Sequence, residues 1–142
     1  MRKFRLAAAA AGLLALLVLT AGPAGGGISS VSVSGAFACN TTTGNFDITW
    51  TITKINNPSS PTSITSATQN PGGALTPTPN PIPAGAGNTA TATSSLPGTT
   101  VGPVTLSVVA TGNPVPVVGT ITLDGTCSIA AAPVVTRPRL TG

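Results

Sequence analysis

The chain of 142 residues has no histidine and no tyrosine, a single tryptophan and only two cysteines. Aromatic residues make up 3% of it and charged residues 6%. Each scarcity narrows what the protein can do. Without histidine, a serine nucleophile has no ordinary base, and zinc loses its commonest nitrogen ligand. With only Asp47 and Asp124 as carboxylates, far apart in sequence, there is no paired acid and base and no calcium cage. The residues therefore predict a non-enzymatic protein with no catalytic, cofactor-binding or metal-binding set.

Charge is scarcer still than the sequence pI near 10.1 suggests. Arg2, Lys3 and Arg5 precede an apolar run from Leu6 to Leu19, which is followed by Ala21-Gly22-Pro23-Ala24. That is the three-part pattern of a secretory signal peptide, and its apolar run is too short to cross a bilayer as a helix. No cysteine follows the run to take a lipid anchor. Residues 1–24 are read as the signal peptide and 25–128 as the folded domain, with 129–142 as a tail. The mature chain then keeps Lys54, Arg137 and Arg139 against Asp47 and Asp124, a net charge of +1. No basic surface remains for nucleic acid. The expected location is secreted or associated with the cell envelope.

What the sequence has in quantity is alternation. Phe46, Ile48, Trp50 and Ile52 take every second position, with Asp47, Thr49, Thr51 and Thr53 between them. This is the period of a half-buried strand, and it holds the largest apolar side chains available to a core. Val31, Val33, Phe37 and Cys39 share one phase upstream, with Gly35 as a bulge or bend, and the polar Asn40–Asn45 stretch turns the chain. A weaker strand is expected at Thr62–Thr68. From Asn70 to Gly87 five prolines and four glycines favour an extended surface connection, with a short edge strand near Ala74–Thr76. Strands resume with Thr89–Thr93, closed by Leu96-Pro97-Gly98, and with Val104–Ala110. The last strand places Val115, Val117, Ile121, Leu123 and Cys127 in one phase.

About seven short strands and no helical period after Ala24 predict an all-β antiparallel sandwich. Cys39 and Cys127 fall on core-facing phases of the first and last strands. In an exported chain they are most simply one disulfide. Three stretches also resemble the immunoglobulin-like modules of bacterial, including actinobacterial, exported and surface proteins. They are Phe46-Asp47-Ile48-Thr49-Trp50, Ile82-Pro83-Ala84-Gly85 and Leu123-Asp124-Gly125-Thr126-Cys127, and the likeness covers roughly residues 28–128. It implies an immunoglobulin-like sandwich, although here the bridge joins the outermost segments, whereas antibody-type domains bridge interior strands around a tryptophan.

Several features invite sharper readings, each set against a plainer one. Trp50 could stack on a sugar, but its phase places it in the core, and without tyrosine carbohydrate binding has little support. Lys54 could serve as the base for a serine nucleophile only if buried and depressed in pKa, and a strand-end position next to Asn56 gives no sign of that. The Thr-x-Thr arrays at 49–53, 89–93 and 120–122 could form an ice-binding face, yet threonine is also a good strand former. Asn40-Thr41-Thr42 fits a glycosylation sequon by chance, and Leu96-Pro97-Gly98-Thr99-Thr100 reads as a turn rather than a sortase signal. The expected function is a structural or interaction module that acts through its surface on an unknown protein partner or on itself. The alternative is a carrier that holds a small apolar ligand in a cleft.

Overall fold

The computed structural model describes residues 31–55 and 59–131. Seven antiparallel strands form two sheets: β1 (Val31–Asn40), β2 (Asn45–Lys54), β3 (Ile64–Asn70), β4 (Gly73–Ala74), β5 (Thr89–Pro97), β6 (Val101–Ala110) and β7 (Asn113–Asp124). One sheet runs β1-β2-β5 and the other β4-β3-β6-β7. No helix occurs among the described residues. The sheets pack face to face as an immunoglobulin-like sandwich. Its fourth strand pairs with β3, whereas in constant-type antibody domains the fourth strand lies beside the fifth. The expected signal peptide, residues 56–58 and most of the expected tail lie outside the described residues.

β2 is the middle strand of its sheet, and its alternation is why. Phe46, Ile48, Trp50 and Ile52 are buried while Asp47 and Thr49 are exposed. Their apolar face meets Val104, Leu106, Val108, Ile121 and Leu123 from the opposite sheet in one continuous core. Trp50 is 0% exposed, as its phase predicts. Its indole is accommodated at Gly35, where a Cβ would lie 2.6 Å from the ring. Gly35 is therefore neither a bulge nor a bend, and β1 pairs with β2 without a break in register.

The proline-rich stretch is stitched to the sandwich rather than laid loosely over it. Thr78 and Thr91 exchange backbone hydrogen bonds of 2.8 Å, and Thr62 and Ile82 exchange bonds of 2.9 and 2.8 Å. Ile82 is fully buried, and the Asn80 side chain caps both backbone groups of Ile64 at 2.9 Å. These ties shift β3 to Ile64–Asn70, two residues later than its composition suggests, and reduce the expected edge strand to Gly73–Ala74. One flank of the sandwich is thereby closed. On the other flank β1 and β7, the edge strands of the two sheets, lie side by side.

Cys39 and Cys127 are bonded, with Cα atoms 5.2 Å apart. Two details differ from the sequence reading. Cys39 is exposed, because β1 leaves the core as it reaches the Thr41–Gly44 turn. Cys127 lies beyond β7, which ends at Asp124 where Gly125 takes a φ of 72°. Cys127 is still buried, held where its backbone amide meets the Gly98 carbonyl at 3.2 Å. Gly98 has to be glycine here, since a Cβ would collide with the carbonyl oxygens of Cys127 and Gly44. Leu96-Pro97-Gly98 is thus a packed turn under the disulfide.

Candidate functional site

The outward face of the three-stranded sheet is a regular surface. On β2 it presents Asp47, Thr49, Thr51 and Thr53, because the alternate residues are spent on the core. On β5 it presents Thr89, Thr91, Thr93 and Ser95 for the same reason. The register sets Thr53 opposite Thr89, Thr51 opposite Thr91 and Thr49 opposite Thr93. β1 adds Ser32 beside Thr53, Ser34 beside Thr51 and Ala36 beside Thr49. Two threonine arrays that are distant in sequence thus become adjacent columns. The third, Thr120 and Thr122, lies on the other sheet, where β7 pairs with β6.

Polar chemistry gathers at one margin of this face. Asp47 accepts hydrogen bonds from Asn40 Nδ2 at 2.9 Å and Ser95 Oγ at 3.2 Å. Between β2 and β5 a shallow open groove of about 480 Å³ is lined by Asp47, Ile48, Thr49, Thr93, Ser94 and Ser95. Asp47 is the one carboxylate among the residues lining it. Among the described residues no cluster of three or more histidine, cysteine, aspartate or glutamate side chains occurs. Asn40, the sequon residue, uses its Oδ1 to cap the amides of Thr42 and Thr43 at 3.1 and 3.2 Å. Its side chain belongs to the turn.

Asp124 stands apart from Asp47. Its Oδ1 accepts from the Thr126 hydroxyl at 2.7 Å and the Thr126 amide at 3.1 Å. These bonds, the hydroxyl first, stabilise the carboxylate and hold Asp124 below its ordinary pKa of 3.8. Because the folded value is depressed, the contribution to stability is complete above the unfolded value and is lost as pH falls through the folded one. An NMR titration of the Asp124 carboxyl should give a midpoint below 3.8, and Thr126→Ala should move it back upward.

Two buried polar groups escaped sequence reasoning. Lys54 is 0% exposed at the end of β2, its ammonium donating to the Ser60 carbonyl oxygen. It shares the inward phase of Ile52 and Trp50, a signal present in the sequence even though the residue stands at the strand end. Both aspartates are hydrogen-bonded elsewhere, Asp47 to Asn40 and Ser95 and Asp124 to Thr126. Gln69 on β3 is 2% exposed, and its Oε1 accepts from Trp50 Nε1 at 2.7 Å and Ser94 Oγ at 2.6 Å. Its Nε2 donates to the Pro71 carbonyl at 2.9 Å. This network joins the two sheets through the core and is closed on itself.

No family model, no curated protein and no solved structure matches this chain.

Proposed function

We propose that the protein is a non-enzymatic, secreted or envelope-associated interaction module that works through its sandwich surface and associates with itself. The observation that supports this is the flank formed by β1 and β7. β1 is ten residues long, pairs on one side only, and contains no charged residue and no proline. Edge strands of this length are ordinarily blunted by charge, proline or a bulge, because their unpaired backbone groups are a template for another strand. β7 carries Pro114 and Pro116 near its start, then runs unbroken with Val118 exposed. A net charge of +1 on the mature chain supplies little repulsion between copies.

A filled core supports this reading over a carrier of apolar ligands. Trp50, Leu106, Leu123 and Ile82 occupy the space between the sheets, and the groove beside Asp47 is shallow and open rather than an enclosed cleft. Sedimentation velocity over a wide concentration range should show reversible association. Charges placed on both edges by Ser32→Lys with Val118→Lys should return the protein to monomer. A wild type that stays monomeric at high concentration and does not bind envelope fractions would discard the proposal.

A further inference from the structure

The geometry points to the outer face of β1-β2-β5 as a surface that binds ice, a further activity independent of self-association. Its centre is a block of nine residues: Ser32, Ser34 and Ala36 on β1, Thr53, Thr51 and Thr49 on β2, and Thr89, Thr91 and Thr93 on β5. The six threonines form a two-by-three lattice, with neighbours about 4.8 Å apart across the strands and about 6.7 Å apart along them. β-Branching restricts χ1 of each threonine, so methyl and hydroxyl groups are held in place before anything binds. No charged side chain stands within the block, and its nearest carboxylate, Asp47, is at the margin already bonded to Asn40 and Ser95.

The makeup of the block excludes most partners. A protein interface needs buried aromatic or arginine anchors, and the block has neither. Three strands by three ranks cover about 300 Å², well short of the roughly 800 Å² per partner of a stable complex, so a second copy is not held here by this face alone. Nucleic acid requires cations, and none is present. A neutral array of donors, acceptors and methyls that repeats in two dimensions matches a neutral partner that repeats likewise. Hydrogen-bonded water at the surface of an ice crystal is such a partner.

Sheet twist limits the match. Neighbouring strands rotate by roughly 20–25°, so the well-aligned part is the β2–β5 pair. Thr91 also gives its hydroxyl to the Thr78 carbonyl at 3.4 Å, a long and weak bond. Activity should therefore be most evident as inhibition of recrystallisation, which weak adsorption is enough to produce, rather than as a large freezing-point gap.

The test uses the purified, oxidised protein, with ice grain growth followed during annealing and crystal shape followed under a nanolitre osmometer. Wild type should arrest grain growth and facet crystals. Thr51→Lys with Thr91→Lys should abolish both effects, as should Thr93→Lys alone, while Thr122→Lys on the opposite sheet should leave them intact. Trp50 fluorescence melts verify that each variant is folded. Wild-type grain growth equal to that with an inert protein overturns the inference. So does full activity in a folded Thr51→Lys, Thr91→Lys variant. A strictly monomeric wild type that arrests grain growth would sink the self-association proposal and leave this one standing.

Discussion

Reduction of the Cys39–Cys127 bridge should lower the melting temperature by about 15 °C or more, given roughly 4–8 °C per kcal/mol for a domain of this size. The bridge spans a sequence separation of 88. Closing a loop of that length removes enough unfolded-state entropy to stabilise the fold by about 4.6 kcal/mol in the chain-entropy model. Total stability of about 5–15 kcal/mol makes this a major share. Cys39 is exposed, so a phosphine reductant reaches the bond without prior unfolding. Calorimetry with and without reductant, repeated on Cys39→Ser with Cys127→Ser, checks it. A melting curve unmoved by reduction would show that the sheets hold each other without the link.

Gln69→Leu should cost about 2–4 kcal/mol, although it adds apolar surface to an apolar core. Leucine removes the acceptor shared by Trp50 Nε1 and Ser94 Oγ. The indole N–H then has no water to turn to, since Trp50 is 0% exposed. An unsatisfied buried donor costs more than the hydrogen bond gained in making it, which sets the sign. Urea unfolding followed by Trp50 fluorescence reads this directly, since the lone tryptophan sits in the network and no tyrosine contributes. The double variant Gln69→Leu with Trp50→Phe, which like Trp50→Phe alone lacks the fluorophore and is followed by far-UV circular dichroism, should lose less than the two single changes added together. Additive losses would mean that the two side chains do not act as a unit.

Most of the sandwich was legible because its strands alternate cleanly. β2, β5 and β6 follow their period-two patterns, and the disulfide follows from two cysteines near the ends of the folded domain of a chain whose leader pattern predicts export. What stayed hidden depends on contacts between segments. The start of β3 is set by Thr62 pairing with Ile82 and by Asn80 capping Ile64, none of which has a local signature. Gly35 reads as a bend but leaves room for an indole from the next strand. The partners that allow Lys54 and Gln69 to be buried have no local signature, because they are found only in the folded state. The threonine face was half legible: each array was evident, but their register became visible only with β2 and β5 paired.

The covalent link between β1 and the segment after β7 also determines how the domain bears a load. Tension applied through the flanking segments passes from Cys39 to Cys127 across one sulfur–sulfur bond and bypasses everything between them. The chain inside the loop, about 300 Å if drawn out straight, is withheld from stretching. A single-molecule pulling trace should show almost no contour-length gain until a thiol reductant is added. The oxidised sandwich would then act as a nearly inextensible node, with the bridge as its tether.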